Sequence, residues 1–181
     1  SGAGGLTLLG GGTLTLSGAN TYTGTTTINA GTLSLTGSLN LGTGTADVSV
    51  ASGAILNGNG VLTADTLRVG GAGSVNLTGS NLVGALSSSG TIGALTLNNA
   101  RDLTVTGITS TGAVSLTTMG ATSDITLAQA ITSSAAGDAV LLASGRNFIN
   151  NAGVGGITLT GGGRFLVYSA DWAADVRGGL T

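Results

Sequence analysis

The chain has 181 residues, a formal net charge of −2 and only 7% charged side chains, with five Arg and seven Asp and no Lys, Glu or His. Soluble domains carry roughly 25% charged residues. Without a Lys/Arg cluster there is nothing to contact the phosphates of a nucleic acid or an anionic membrane surface, and without Cys or His the usual ligands for zinc and most transition metals are missing.

The remaining composition points to an all-β chain. Hydrophobic residues make up 41%, Gly reaches 35 residues and Pro is absent. Lys and Glu, two of the best surface helix formers, are missing, while Thr, Ser, Val, Ile and Leu fill most positions. No apolar run approaches the ~20 residues of a membrane helix. Aromatics at 3% are too few for the girdles of a transmembrane barrel.

In chain order, short apolar–polar alternations predict strands at 13–17, 25–29, 32–36, 38–41, 47–50, 66–69, 74–78, 94–98, 102–106, 113–117, 124–128, 139–143, 156–160 and 164–169. Each is about five residues long and is bounded by Gly, Asn, Ser or Ala. No window carries an i, i+3, i+4, i+7 apolar stripe, so little or no helix is expected.

The spacing of equivalent positions suggests the architecture. Leu14 to Leu33, Val48 to Leu67, Leu67 to Leu86 and Leu95 to Val114 are 19 apart, and Ile28 to Val48 and Val75 to Leu95 are 20 apart. Later the register loosens, with 18 residues from "DAVLLA" to "GITLTG". A period of about 19–20 with two or three strands inside it fits one coil of a parallel β-helix, rising ~4.8 Å per coil. Roughly 8–9 coils would make a rod of about 40 Å. An antiparallel sandwich, with strands every 8–12 residues and no longer register, is the weaker alternative. Stacked inward Leu, Ile and Val would form a continuous core that no single coil buries alone. Asn20, Asn40 and Asn59 are 20 and 19 apart and are candidates for an amide ladder, although Asn is also a common turn residue.

The stretch "GGGTLTLSGANTYTGTTTINAGTLSLTG", residues 10–37, resembles the short repeat of bacterial autotransporter passenger domains. Residues 12–35 follow it nearly position for position, with Thr25 where a second Gly is common. "GGITLTGGGRFLVYSADWAADVRGGL" is similar to a segment of two-partner-secretion exoproteins, the filamentous-haemagglutinin-like adhesins, on residues 163–169 and 178–180. The middle, 40–155, shows only the Thr/Gly/Leu texture of the class. Both resemblances imply a right-handed parallel β-helix exported across an outer membrane. They also imply a translocator partner and a secreted or cell-surface location on a Gram-negative bacterium. The first motif belongs mainly to single-chain autotransporters and the second to two-partner exoproteins, so the route is left open. The chain reads as a single β-helix segment, 1–181, of a larger exoprotein, with 161–181 a terminal strand and junction to the next module.

Few residues carry chemistry. The carboxylates are Asp47, Asp65, Asp102, Asp124, Asp138, Asp171 and Asp175. A glycosidase pair would sit roughly 5–9 Å apart. Asp47 and Asp65, on neighbouring coils, lack the basic and aromatic neighbours that position a sugar, and turn capping is the expected role. Arg101–Asp102 and Asp65–Arg68 are candidate local ion pairs. "GGAGSVNL", 70–77, has the glycines of a calcium nonapeptide but Ser74 and Val75 in place of the acidic ligand. With no His, no Ser has a conventional base. Asp171, Asp175 and Trp172 form the one polar–aromatic cluster, read as a loop sealing the last coil with Trp172 and Phe165 as lid. Trp172 is also the candidate ligand contact.

No catalytic, metal or cofactor-binding residue is therefore expected. The expected function is a non-enzymatic stalk or adhesive segment of a surface exoprotein, with a host glycan or matrix protein as candidate partner. Fragments are expected to associate end to end. The alternatives are a β-helical polysaccharide-acting enzyme and an ice-binding solenoid, whose Thr-x-Thr rows would have to recur on every coil.

Overall fold

A computed structural model describes residues 2–180. Its strand pairings are parallel throughout, and each strand pairs with the stretch of chain one coil away. The result is a β-solenoid of eight rungs. On its first sheet the rungs are Thr13–Leu16, Thr32–Leu35, Ile55–Gly58, residues 74–77, Leu95–Asn99, Val114–Thr118, Asp138–Ala143 and Arg164–Tyr168. A second sheet stacks Leu6–Leu8, Thr26–Ile28, Thr45–Val50, residues 66–70 and 85–89, Leu103–Ser110 and Ile125–Ser133. Phe148–Asn150 and Ile157–Leu159 then extend it. One single-turn 3₁₀ helix, Gly153–Gly155, interrupts the β pattern.

Alternation explains the core. In every rung of the first sheet one parity points inward, giving the column Leu14, Leu33, Leu56, Val75, Leu95, Val114, Val140 and Phe165. Beside it run Leu16, Leu35, Gly58, Leu77, Leu97, Leu116, Leu142 and Val167. From Leu33 to Leu142 the large side chains of these columns are almost completely buried, each contributing about 2 kcal/mol by leaving water. Phe165 and Val167 in the last rung are half-buried. Leu6, Leu8, Leu14 and Leu16 in the first coil are only half-buried, because they have rungs on one side alone.

The coil length varies more than the sequence spacing suggests. The steps down the first column are 19, 23, 19, 20, 19, 26 and 25 residues. Four keep the expected 19–20, and the three longer ones absorb loops. Two expected pairings are displaced by two residues. Ile28 pairs with Val50 rather than Val48, and Leu67 pairs with Ala46 rather than Val48. A slip of two leaves the same parity facing the core, so alternation cannot detect it. For Ile28–Val50 the extra residues lie at Gly42–Thr43–Gly44, where both glycines take positive φ. For Ala46–Leu67 they lie in the turn at 50–54, where Gly53 has φ +79°. "DAVLLA" does not stack on "GITLTG": it pairs with Arg164–Tyr168, while Ile157–Leu159 pairs with residues 131–133.

The expected Asn ladder does not form. Asn20 pairs with Leu39, and Asn40 with Thr21 and Thr63, so those amides do not stack. Instead one corner column runs Leu39, Leu62, Asn81, Asn99, Thr118, passing from apolar to polar. Asn81 and Asn99 are fully buried. At a second corner Ser110 and Ser133 are register partners, and Ser110 Oγ lies 2.7 Å from the carbonyls of Gly93 and Gly112. Among the described residues, no buried side-chain nitrogen or oxygen lacks a hydrogen-bond partner.

Tight corners require glycine. Gly71 has φ +79°, and a Cβ there would lie 2.3 Å from the Val50 carbonyl oxygen. This is the "GGAGS" stretch, whose glycines serve the approach of neighbouring rungs.

Candidate functional site: an aromatic cleft at the C-terminal end

Half of the charged residues, the obvious candidates for chemistry, form three ion pairs across rungs. Arg68 Nε and Nη2 reach the Asp47 carboxylate at 2.5 and 2.8 Å. Arg146 binds Asp124 in the same two-pronged way, and Asn147 N–H adds a third bond to that carboxylate. Arg164 Nε reaches Asp138. Hydrogen bonds from these guanidinium groups hold Asp47 and Asp124 below the usual carboxylate range and push Arg68, Arg146 and Arg164 up.

The local pairs expected from sequence do not form. Arg68 turns to Asp47 instead of Asp65, whose carboxylate accepts from Gly44 N–H. Asp102 accepts from the Asp124 N–H rather than pairing with Arg101. With Asp47 committed to Arg68 and Asp65 to a backbone N–H, the two do not form an acid/base dyad. Among the described residues no group of three metal-ligating side chains converges.

The Thr rows are also broken. Thr91, Thr109, Thr132 and Thr158 are in register over four rungs. Elsewhere Thr is replaced: the column begun by Thr13 and Thr32 continues with Ile55 and Ser74.

The site that does assemble lies at the C-terminal end. The strand Arg164–Tyr168 places Phe165 and Val167 in the core columns and turns Tyr168 outward. The chain then forms a turn in which Asp171 accepts from the Ala173 N–H at 3.1 Å. Asp175 binds it back to the solenoid, accepting from Phe148 N–H at 2.8 Å and Ser169 O–H at 2.7 Å. Val176 bridges Ile149 in parallel. The buried Asn150 amide donates to the Arg177 carbonyl at 2.9 Å, fixing the backbone from which the guanidinium reaches over the Trp172 ring, 5.7 Å from its centroid.

Between these parts is a cleft of about 370 Å³. Phe148, Phe165, Val167 and Leu180 supply its apolar lining, and Tyr168, Trp172, Asp175 and Arg177 its polar and aromatic parts. Four of the five aromatic residues in the whole chain meet there. Trp172 is 72% exposed, so it is not the lid expected from sequence; Phe165, half-buried, belongs to the core column instead. Tyr168 and Arg177 had not been singled out in the sequence. The available signal was the nearness of Tyr168, Trp172 and Arg177 in a chain otherwise almost free of aromatics.

Fold and site together define a parallel β-solenoid with an aromatic cleft at its C-terminal end. The family described as passenger-associated-transport-repeat matches residues 6–35, enclosing the repeat seen at 12–35. The chain is also 41% identical over 80 residues to the adhesin BmaC autotransporter of Brucella suis biovar 1 (strain 1330), an alignment covering 40% of this chain and 2% of that relative. No solved structure matches this chain. The repeat, the relative and the stacked coils fit an autotransporter passenger β-helix segment.

Proposed function

We propose that this chain is a rigid, non-catalytic stalk and adhesive segment of an exoprotein secreted or displayed on the surface of a Gram-negative bacterium. The observation that carries this reading is the unbroken buried core from Ile28 to Ile157, with the half-buried residues of the first and last rungs packed against it. The passenger repeat and the adhesin relative support the adhesive assignment. An outer-membrane translocator is the partner during export. Residues 161–181 form the junction to a following module.

Contact with a host glycan or matrix protein is assigned to Trp172 and to the outer side of the first sheet. There Thr15, Ser34, Asn57, Asn76, Thr96 and Ser115 stack in register on six rungs without a charge among them. The first charged residue of the chain is Asp47. The early coils therefore lack the charges and prolines that commonly guard open strand edges, which favours end-to-end association of isolated segments.

The test is a binding comparison on a glycan array and on extracellular-matrix proteins, with an unrelated β-helix as control. Selective, saturable binding by this chain is expected. Silence on both panels would reduce the segment to a spacer.

A further inference from the structure

The terminal cleft combines three features that no other part of the described residues brings together. The first is aromatic surface: the Tyr168 and Trp172 side chains, 56% and 72% exposed, flank an apolar lining of Phe165 and Val167. Flat apolar rings of this kind take the C–H face of a pyranose, while their edges stay wet. The second is an uncommitted cation. Arg68, Arg146 and Arg164 are each tied to an Asp. Among the described residues Arg177 has no carboxylate partner, only the face of Trp172. Arg177 is exposed, so its N–H donors, which match a carboxylate in a two-pronged geometry, are open to solvent.

The third feature is what the nearby acids already do. Asp175 accepts from Phe148 N–H and Ser169 O–H, and Asp171 accepts from its own turn at Ala173. Both carboxylates serve the loop, and neither neutralises Arg177 by direct contact. An aromatic cleft with an open guanidinium edge suits a ligand with an apolar ring face and a carboxylate on the same unit.

We infer that the cleft binds a glycan unit bearing a carboxylate, of the sialic or uronic acid class, with the sugar on Tyr168 and Trp172 and its carboxylate on Arg177. This deepens, and rests on, the reading of Trp172 as a ligand contact. Neutral sugars of the same size lack the group that Arg177 would bind and therefore bind weakly. A protein strand or a second copy of this chain would also cover the apolar lining, but neither requires the Arg177 edge.

Trp172 is the single Trp of the chain, so its emission reports on the cleft directly. The experiment titrates the intact chain with sialyllactose and trigalacturonate, with lactose as the neutral control, and repeats this for Arg177→Gln and Arg177→Lys. A saturable change in Trp emission is expected with both acidic sugars or one of them, and none with lactose. Arg177→Gln should weaken the acidic response by about tenfold or more and Arg177→Lys by less, since Lys keeps the charge but loses the fork. Unchanged far-UV circular dichroism shows that the variants keep the fold.

Emission unmoved by either acidic sugar, an equal response to lactose, or a response indifferent to Arg177→Gln would each overturn the inference. So would sedimentation showing oligomers that Trp172→Ala dissolves, which would give the cleft to a second copy. If acidic sugars fail while the wider panel still shows selective binding, this inference falls and the adhesive reading stands.

Discussion

Asn81 and Asn99 are register partners on adjacent rungs, and each amide joins strands of neighbouring coils at a corner that is otherwise dry. Asn81 Oδ1 accepts from Leu62 N–H, and its Nδ2 reaches the Asn98 carbonyl, both at 2.8 Å. Asn99, one rung on, binds back to the preceding coil, its Oδ1 accepting from Val83 N–H and its Nδ2 donating to the Val83 carbonyl, both at 2.8 Å. A buried backbone group deprived of its partner costs about 1–3 kcal/mol. Asn99→Leu removes the partner of Val83 N–H and of the Val83 and Arg101 carbonyls. It is expected to destabilise the solenoid by about 3 kcal/mol or more in guanidinium unfolding. A loss below about 0.5 kcal/mol would show that the corner relaxes without the amide.

The core columns predict a sharp contrast between neighbours of opposite parity. Leu97 is fully buried, whereas Thr96 faces outward. Leu97→Ala should cost about 3 kcal/mol through lost burial and the cavity left behind. Thr96→Ala should stay within about 0.5 kcal/mol. Equal costs in a denaturation series would contradict the assigned facing of the rung.

Two glycines with positive φ separate backbone strain from steric crowding. Gly71 and Gly137 have φ of +79° and +65°. A Cβ at Gly71 would strike the Val50 carbonyl, but at Gly137 it meets nothing within 4 Å. Gly137→Ala should therefore cost about 1–2 kcal/mol for the left-handed conformation alone. Gly71→Ala should cost clearly more, because the rung spacing must also open. Thermal melts of the two variants make the comparison, and similar shifts would show that rung contact adds nothing.

Acid should weaken the solenoid through Asp124. Its hydrogen bonds from Arg146, with the Asn147 N–H behind them, hold the folded carboxyl below the unfolded value. A depressed folded pKa means that the stabilisation is present above the unfolded pKa of about 4. It is lost as pH falls through the lower folded value. Asp124→Asn should therefore flatten the acid limb of a stability–pH curve. The exposed pair Asp47–Arg68 should contribute less, because solvent screens it. An unchanged acid limb in Asp124→Asn would remove this pair from the account.

Residue parity was legible in the linear chain because a strand's period of two needs no partner to be read. So was coil stacking wherever loops were short, as in Leu14 over Leu33, Leu67 over Leu86 and Leu95 over Val114. Register across a long loop was not legible. Ile28 faces the core equally well against Val48 or Val50, and only the path of the chain through Gly42–Thr43–Gly44 selects Val50.

For the same reason the amide ladder expected at Asn20, Asn40 and Asn59 does not form, whereas Asn81 and Asn99 share a column and bind backbone groups there. Even spacing brings residues into line only when the coils between them have equal length. Asp–Arg pairs across rungs, and the meeting of Phe148 with Trp172 and Arg177, depend on contacts between residues more than 20 positions apart. Composition and alternation by themselves determined an all-β chain with an apolar interior, because those are local properties of a pleated strand, and the 19–20-residue spacing across short loops pointed to the coils. Which rung lies on which, which charges meet, and where the aromatics converge were decided by the tertiary structure, through loop lengths that have no local signature.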